Sequence, residues 1–463
     1  MFTKEIYLRR REQLREQMQG GVAVFLSNNE SPMNYPNNTY PYRQDSTFTY
    51  FFGLQMPGLA AVMDLDEKQD ILFGDDFTID DIIWMGNQPA VAELGERCGI
   101  AQTEPFAALS TYVQKAAKAG RTIHFLPPYR TDNALFLHRL LGIAPEEVKA
   151  KASVELIKAV VALRAIKQPE EIAEIEKACC LGVKMHLAAM THCKAGKMER
   201  ELAGLVEGTA LAEGNGVSFP VILSQNGETL HNHNHEQRLE DGRLLLVDAG
   251  AERTSCYASD YTRTFPVSGK FTDKQRGIYE IVLRANTESI AMAKPGIRYF
   301  DVHLHATTVI AEGLTRLGLM KGNPAEAARA GAHALFMPHG LGHMMGLDVH
   351  DMEDLGENYV GYDQHTQRSP LFGHGSLRCG RELQPGFVLT VEPGIYFIPQ
   401  LIDIWEKEGK FTEYIHYAKV REYIGFGGIR IEDDILITET GCRVLGEPLP
   451  KTVREIEEVM AGN

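Results

Sequence analysis

The chain has 463 residues, 44% of them hydrophobic and 24% charged, which is the composition of a soluble globular protein too long for one ordinary domain. A formal net charge of -15 argues against nucleic acid or an anionic membrane as the main partner. The seven cysteines are odd in number and include no CxxC pair, so neither a disulfide framework nor a structural zinc site is expected and a reducing compartment is favoured.

The first segment, MFTKEIYLRRREQLREQMQ, predicts an amphipathic helix over 4–18 and lacks the apolar core of a secretory signal. No apolar run approaches the roughly 18–20 residues that span a bilayer, so the expected address is the cytoplasm. GVAVFLS (21–27) reads as a buried strand, and AAVMDLD (60–66) with KQDILFG (68–74) as a hairpin. Helix and strand patterns alternate to about residue 150, which predicts a smaller α/β domain. LIKAVVALRAIK (156–167) reads as a strand, Pro169 stands where a helix would begin, and a domain boundary is expected near 155–175, dividing the chain into 1–165 and 166–463.

Strand-like runs then recur at 243–250, 257–267, 387–397 and 427–438, with helices between about 272 and 320. That order predicts an α+β domain. The sequence holds no short internal repeat and no low-complexity tract.

Five of these segments carry an out-of-place donor. Asp248 interrupts the apolar strand RLLLVDAG, and Asp260 follows 12 positions later on a strand that plausibly returns antiparallel to it. A buried charge there must be paired or metal-bound, and two neighbouring carboxylates repel unless cations lie between them. HGLGHMMGLDVHD (339–351) holds His339, His343 and His350 among glycines that argue for a loop. Glu392 is the only charge in FVLTVEPGIYF, and period-2 alternation in GGIRIEDDI puts Arg430 and Glu432 on one strand face. Four carboxylates and one imidazole suit manganese or a similar divalent ion, and two such ions about 3.5–4 Å apart can activate a water for attack on an amide. The bland alternatives are a strand-end turn at Asp248 and a salt-bridged strand face at Arg430 and Glu432. HNHNH (231–235) reads as a polar substrate loop with His231 as its working histidine, although a third metal cluster is an alternative.

LLLVDAGAE, YASDYTRTFPV, HGLGHMMGLDVHD, LQPGFVLTVEPGIYF and FGGIRIEDDILIT, in that order, resemble the pita-bread metallopeptidases, and within them the proline-specific branch of aminopeptidase P and prolidase. YPYRQDSTFTYFFGL (40–54) resembles the N-terminal domain of the same branch, so the resemblance covers nearly the whole chain. It implies a C-terminal pita-bread domain and two divalent metal ions, usually manganese, on Asp248, Asp260, His343, Glu392 and Glu432. It also implies catalytic roles for Glu392, His350 and His339, and substrate contacts from His231, His339, His350, Arg378 and Arg430. The Asp248–Asp260 spacing is one residue longer than the commonest family spacing, a form the prolidase-like branch shares.

The implied substrates are small peptides with proline at the second position. Arg378, in GSLRCGREL, matches the prolidase arginine that holds a dipeptide's C-terminal carboxylate, whereas the YPYRQDS segment is shared with aminopeptidase P. Both longer peptides and dipeptides are therefore expected. The family's habit also implies a homodimer or homotetramer joined through N-terminal domains. The rival readings are an inactive peptide-binding protein on the same fold, a methionine aminopeptidase and a phosphotriester hydrolase. The first expects a replaced ligand, and all five are present.

Overall fold

The structure, a computed structural model, describes residues 1–462. Its contacts divide the chain into two units, Met1–Arg164 with Met352–Tyr359, and Ala165–Asp351 with everything from Val360 onwards.

The first unit opens on α1 (Lys4–Gln17), which buries Tyr7, Leu14 and, unexpectedly for an amphipathic face, Arg10 and Arg11. Both guanidinium groups find protein acceptors. Arg11 meets Asp70 at 2.7 Å and the carbonyls of Phe51 and Cys98, and Arg10 donates to the Tyr50 carbonyl at 2.9 Å. The sheet beside it consists of β1 (Val22–Leu26), β2 (Ala60–Asp64), β3 (Gln69–Phe73), β4 (Gln102–Glu104) and β5 (Ile123–Phe125). Its order is β4-β3-β2-β1-β5. The β1–β2 and β2–β3 pairs are antiparallel while β1–β5 and β3–β4 are parallel, which requires helical crossovers.

One expectation fails here. The run at 156–167 is not a strand but lies largely within a helix, α2 (Val154–Ala165). Its buried positions, Leu156, Ile157, Ala159, Val160, Val161, Arg164 and Ala165, cluster at helical spacing. The β-branched pair Val160–Val161 imitates a strand, but tertiary packing outweighs that weak local preference.

The second unit repeats one order of elements twice. A helix pair, α3 (Pro169–His192) and α4 (Glu199–Glu213), precedes the antiparallel sheet of β6 (Ile222–Ser224), β7 (Leu244–Ala249) and β8 (Tyr261–Pro266). A second pair, α5 (Asp273–Met292) and α6 (Tyr299–Arg316), precedes β9 (Val388–Val391), β10 (Gly394–Tyr396), β11 (Gly428–Arg430), β12 (Asp433–Ile437) and β13 (Cys442–Val444). Strand β12 lies between β9 and β13, and β10 pairs with β11. Pro393 lacks an N–H and divides the expected strand 387–397 into β9 and β10 at Glu392. The expected strand 427–438 is likewise divided into β11 and β12, with Glu432 at the break.

The two sheets are joined at the Thr262–Glu432 bridge, where the Glu432 N–H donates to the Thr262 carbonyl at 3.0 Å. Thr262 is also the register partner of Asp248. Asp248, Thr262 and Glu432 therefore form one transverse row across adjoining strands, with side chains on a common face.

Candidate active site

The row across the strands is completed from two sides. Asp260 immediately precedes β8, two residues before Thr262 and hence on the same face. The glycine-rich loop 339–351 forms no helix and instead runs beside β9. Met345 N donates to Val388 O, Thr390 N to His343 O and Glu392 N to Leu341 O at 2.8 Å. This pairing fixes His343 beside Glu392. Gly342 permits it, because a Cβ there would strike the Thr390 carbonyl oxygen. Gly250 similarly lets the chain after Asp248 pass the Ser259 carbonyl.

Asp248, Asp260, His343, Glu392 and Glu432 all line one cavity of about 540 Å³, together with His231, His339, His350, Arg378 and Arg430. One donor atom each of Asp260, His343 and Glu432 lies within 4.8 Å of the others. Asp248, Asp260, His343 and Glu432 are buried, while Glu392 keeps 19% of its side chain open to the cavity.

The electrostatics of this set favour a cation. Burial, reinforced by Glu432 and Asp248, holds the Asp260 carboxyl well above its ordinary range. Burial likewise raises Glu432, and it pushes Glu392 up to about 7. The Oδ1 atoms of Asp248 and Asp260 are buried with no protein donor. His343 Nδ1 donates to the Met344 carbonyl at 3.0 Å, so its Nε2 carries a lone pair. That lone pair faces Asp260 Oδ2 at 3.4 Å and Glu392 Oε1 at 3.8 Å. An acceptor turned toward acceptors, with its tautomer set by a backbone carbonyl, is the arrangement of a metal ligand. The residues present thus fit the hard divalent ions that their oxygen-rich composition selects.

Arg430 organises the acids. Its Nη2 meets Asp248 Oδ2 at 2.5 Å, its Nε donates to Thr262 Oγ1 at 3.0 Å and its Nη1 to the Tyr396 hydroxyl at 2.8 Å. Thr262 Oγ1 in turn donates a hydrogen bond to Glu432 Oε2 at 2.6 Å, and Tyr396 donates to His339 Nε2 at 3.0 Å. His339 Nδ1 donates to the Gly340 carbonyl, so both of its ring nitrogens are engaged by protein. Burial drives its pKa down to about 3.

The His350 ring lies against the His343 ring, centroids 4.1 Å apart. His231 is exposed at the rim, where burial of part of the ring and the Arg430 charge lower its pKa. Arg378 is half-buried on the loop after the turn His374–Ser376. Phe219, Ile222 and Leu230 form an apolar wall, with Leu246 and Tyr396 packed behind it.

Sequence reasoning missed Thr262, Tyr396 and this wall, because uncharged strand formers carry no signal of a site. It also missed Asp434, whose Oδ2 accepts from the Asp260 N–H at 2.9 Å and fixes the backbone there. Cys256 and Cys379, which lie near these segments, are buried and line no part of the cavity.

Antiparallel sheets that gather carboxylates and an imidazole at one apolar-walled cavity define a metallohydrolase class of protein. Residues 173–439 match the model of metallopeptidase family M24, and residues 7–124 match the aminopeptidase P N-terminal domain. The chain belongs to metallopeptidase family M24, in its pita-bread, proline-specific branch. It is 32% identical to the Xaa-Pro dipeptidase of Homo sapiens, over 96% of this chain and 90% of the relative. It is also 32% identical to the Xaa-Pro aminopeptidase of Escherichia coli K12, over 99% of this chain and 98% of the relative. Zinc-substituted E. coli aminopeptidase P in complex with product superposes with a TM-score of 0.82 at 31% identity, covering 100% of this chain and 99% of that one.

Proposed function

We infer that this chain is an Xaa-Pro metallopeptidase, an exopeptidase that hydrolyses the bond between an N-terminal residue and proline. The observation that carries this is the five-donor set facing one cavity, with Asp248 Oδ1 and Asp260 Oδ1 buried and unmatched by a protein donor. Asp248, Asp260, His343, Glu392 and Glu432 would hold two divalent cations, with manganese the best fit to four carboxylates and one imidazole. When bound, these cations supply the acidity that ionises a water and the positive charge that polarises the scissile carbonyl.

The chain's own residues supply the rest. Glu392 is the one acid of the set with substantial exposure to the cavity, and it takes the water's proton and returns it to the departing prolyl nitrogen. His350 stands beside His343 at the cavity surface and hydrogen-bonds the oxyanion as it forms. His339, with both nitrogens committed, holds Tyr396 and through it Arg430. The wall of Phe219, Ile222 and Leu230 accepts the pyrrolidine ring, and His231 closes the rim over it.

Residues 1–165 then form the aminopeptidase P-type domain and 166–463 the catalytic domain. Seven cysteines without a disulfide among the described residues support a cytoplasmic location. No helix among those residues is long and apolar enough to cross a membrane. The exposed face of Ile79, Ile83 and Trp84, the last 86% exposed, supports a homodimer or homotetramer formed through the N-terminal domain.

Arg378 favours dipeptides as a second substrate class, because its planar fork at the cavity can clamp a C-terminal carboxylate. The deciding assay compares Xaa-Pro with Xaa-Pro-Yaa peptides on manganese-loaded wild type and Arg378→Met. Hydrolysis of both classes by wild type, with the dipeptide rate falling at least tenfold further in the variant, supports the clamp. Equal losses overturn the clamp, and no hydrolysis of either class by wild type overturns the peptidase itself.

A further inference from the structure

A second group of metal-competent side chains lies in the same unit, and none of its members lines the active-site cavity. His303 projects from α6, His333 from the 3-10 turn Ala332–Leu335, and His374 from the 3-10 turn His374–Ser376. All three are buried, at 0%, 0% and 2% exposure, and one ring nitrogen of each lies within 4.8 Å of the others. Three buried imidazoles from segments so distant in sequence do not meet by helical or strand periodicity.

Their hydrogen bonds determine where the protons are. His374 Nε2 lies 2.9 Å from the Ala328 carbonyl, and His333 Nδ1 lies 3.2 Å from the same oxygen. A carbonyl only accepts, so both nitrogens donate, which leaves lone pairs on His374 Nδ1 and His333 Nε2. His374 Nδ1 is 3.0 Å from His303 Nε2, so the proton between them sits on His303. His333 Nε2 and His303 Nδ1 are then buried without any partner. Burial also keeps all three rings in the neutral form that ligates metals.

A metal here would take up the unpartnered lone pair of His333 Nε2. Two rings already donate their outer N–H to one backbone carbonyl, the contact that orients metal-bound histidines. The 3.0 Å separation of His303 Nε2 and His374 Nδ1 approaches the spacing of two nitrogens around a tetrahedral ion with bonds of about 2.0–2.1 Å.

We propose that His303, His333 and His374 form a separate binding site for a zinc-like divalent cation, held by His303 Nε2, His333 Nε2 and His374 Nδ1. The His303 proton moves to Nδ1 on binding, and water completes the tetrahedron. Three neutral imidazoles and no carboxylate favour zinc over manganese, the reverse of the oxygen-rich active site. The ion cross-links α6, the 332–335 turn and the 374–376 turn.

The test uses crystals of the full chain, stripped with chelator and reloaded with zinc, with anomalous scattering collected at the zinc edge. A peak is expected among the three imidazoles in addition to those at Asp248, Asp260, His343, Glu392 and Glu432. His333→Gln and His374→Gln should each lose that peak and one equivalent of bound zinc, while manganese-supported peptide hydrolysis stays within twofold of wild type. Zinc at the five-donor set alone overturns the proposal, and the wild-type crystal decides the matter even if both variants misfold. The two sites give separate peaks, so failure of the active-site assignment is distinguishable from failure here.

Discussion

Arg430 and Asp248 form a buried ion pair at 2.5 Å, and the same guanidinium also holds Thr262 and Tyr396. A lysine keeps the charge but loses the fork that reaches three partners at once. Arg430→Lys is therefore expected to weaken manganese binding by about 10–100-fold, the usual consequence of losing an outer contact to a ligand. Isothermal titration of the stripped protein measures this, and unchanged affinity would remove the orienting role.

Thr262 is the relay between that arginine and Glu432. Thr262→Val keeps the shape but deletes both an acceptor for Arg430 Nε and a donor to Glu432 Oε2. The expected result is a fall in kcat/KM of roughly tenfold, about 1.4 kcal/mol, in line with one lost charge-assisted hydrogen bond. Steady-state hydrolysis of an Xaa-Pro peptide at saturating manganese checks it, with circular dichroism confirming an intact fold.

Metal removal should make stability depend on pH in a defined direction. Asp260, Glu432 and Glu392 have folded-state pKa values raised by burial, that of Glu392 to about 7. Unfolded carboxyls titrate near 4, so between about pH 4.5 and 7 the metal-free native state binds more protons than the unfolded chain. Its stability is then greatest below the unfolded pKa and is lost as pH rises toward 7. Thermal melts of chelator-treated protein from pH 5 to 8 should show Tm falling, and saturating manganese should abolish or reverse the trend. A metal-free Tm that rises over this range contradicts the assignment of these three groups.

Away from the site, Lys167 Nζ meets Asp351 Oδ2 at 2.7 Å with each side chain only 1% exposed. Lys167→Met leaves that carboxylate buried against the Gly346 backbone without its cation. The expected loss is about 3–5 kcal/mol, the cost of breaking a buried pair from one side. Urea denaturation measures it, and Lys167→Met with Asp351→Leu should recover part of the loss.

The donors were legible because each is a charge where an apolar strand should have none. Asp248 and Glu392 announce themselves inside LLLVDAG and LTVEPGI, and the glycines around His343 exclude a helix. Arg430 stood out for the same reason. Thr262 and Tyr396 could not be found this way, because threonine and tyrosine are ordinary strand residues whose importance comes from cross-strand register. The helix Val154–Ala165 was misread since two adjacent valines outweighed an apolar spacing that packing makes helical. Strand ends at Glu392 and Glu432 were also overrun, because a local pattern does not show where a ladder stops.

The twice-used order of helix pair followed by sheet places Asp248 and Asp260 in the earlier half of the unit, and His343, Glu392 and Glu432 in the later half. Neither half owns a whole coordination set. An ion seated there acts as a rivet across the seam, so a chain released before its last strands are made lacks Glu432 and cannot complete the set. Capture of the ion would then mark the moment at which both halves have docked, and proteolytic power would arise only in molecules that have finished folding.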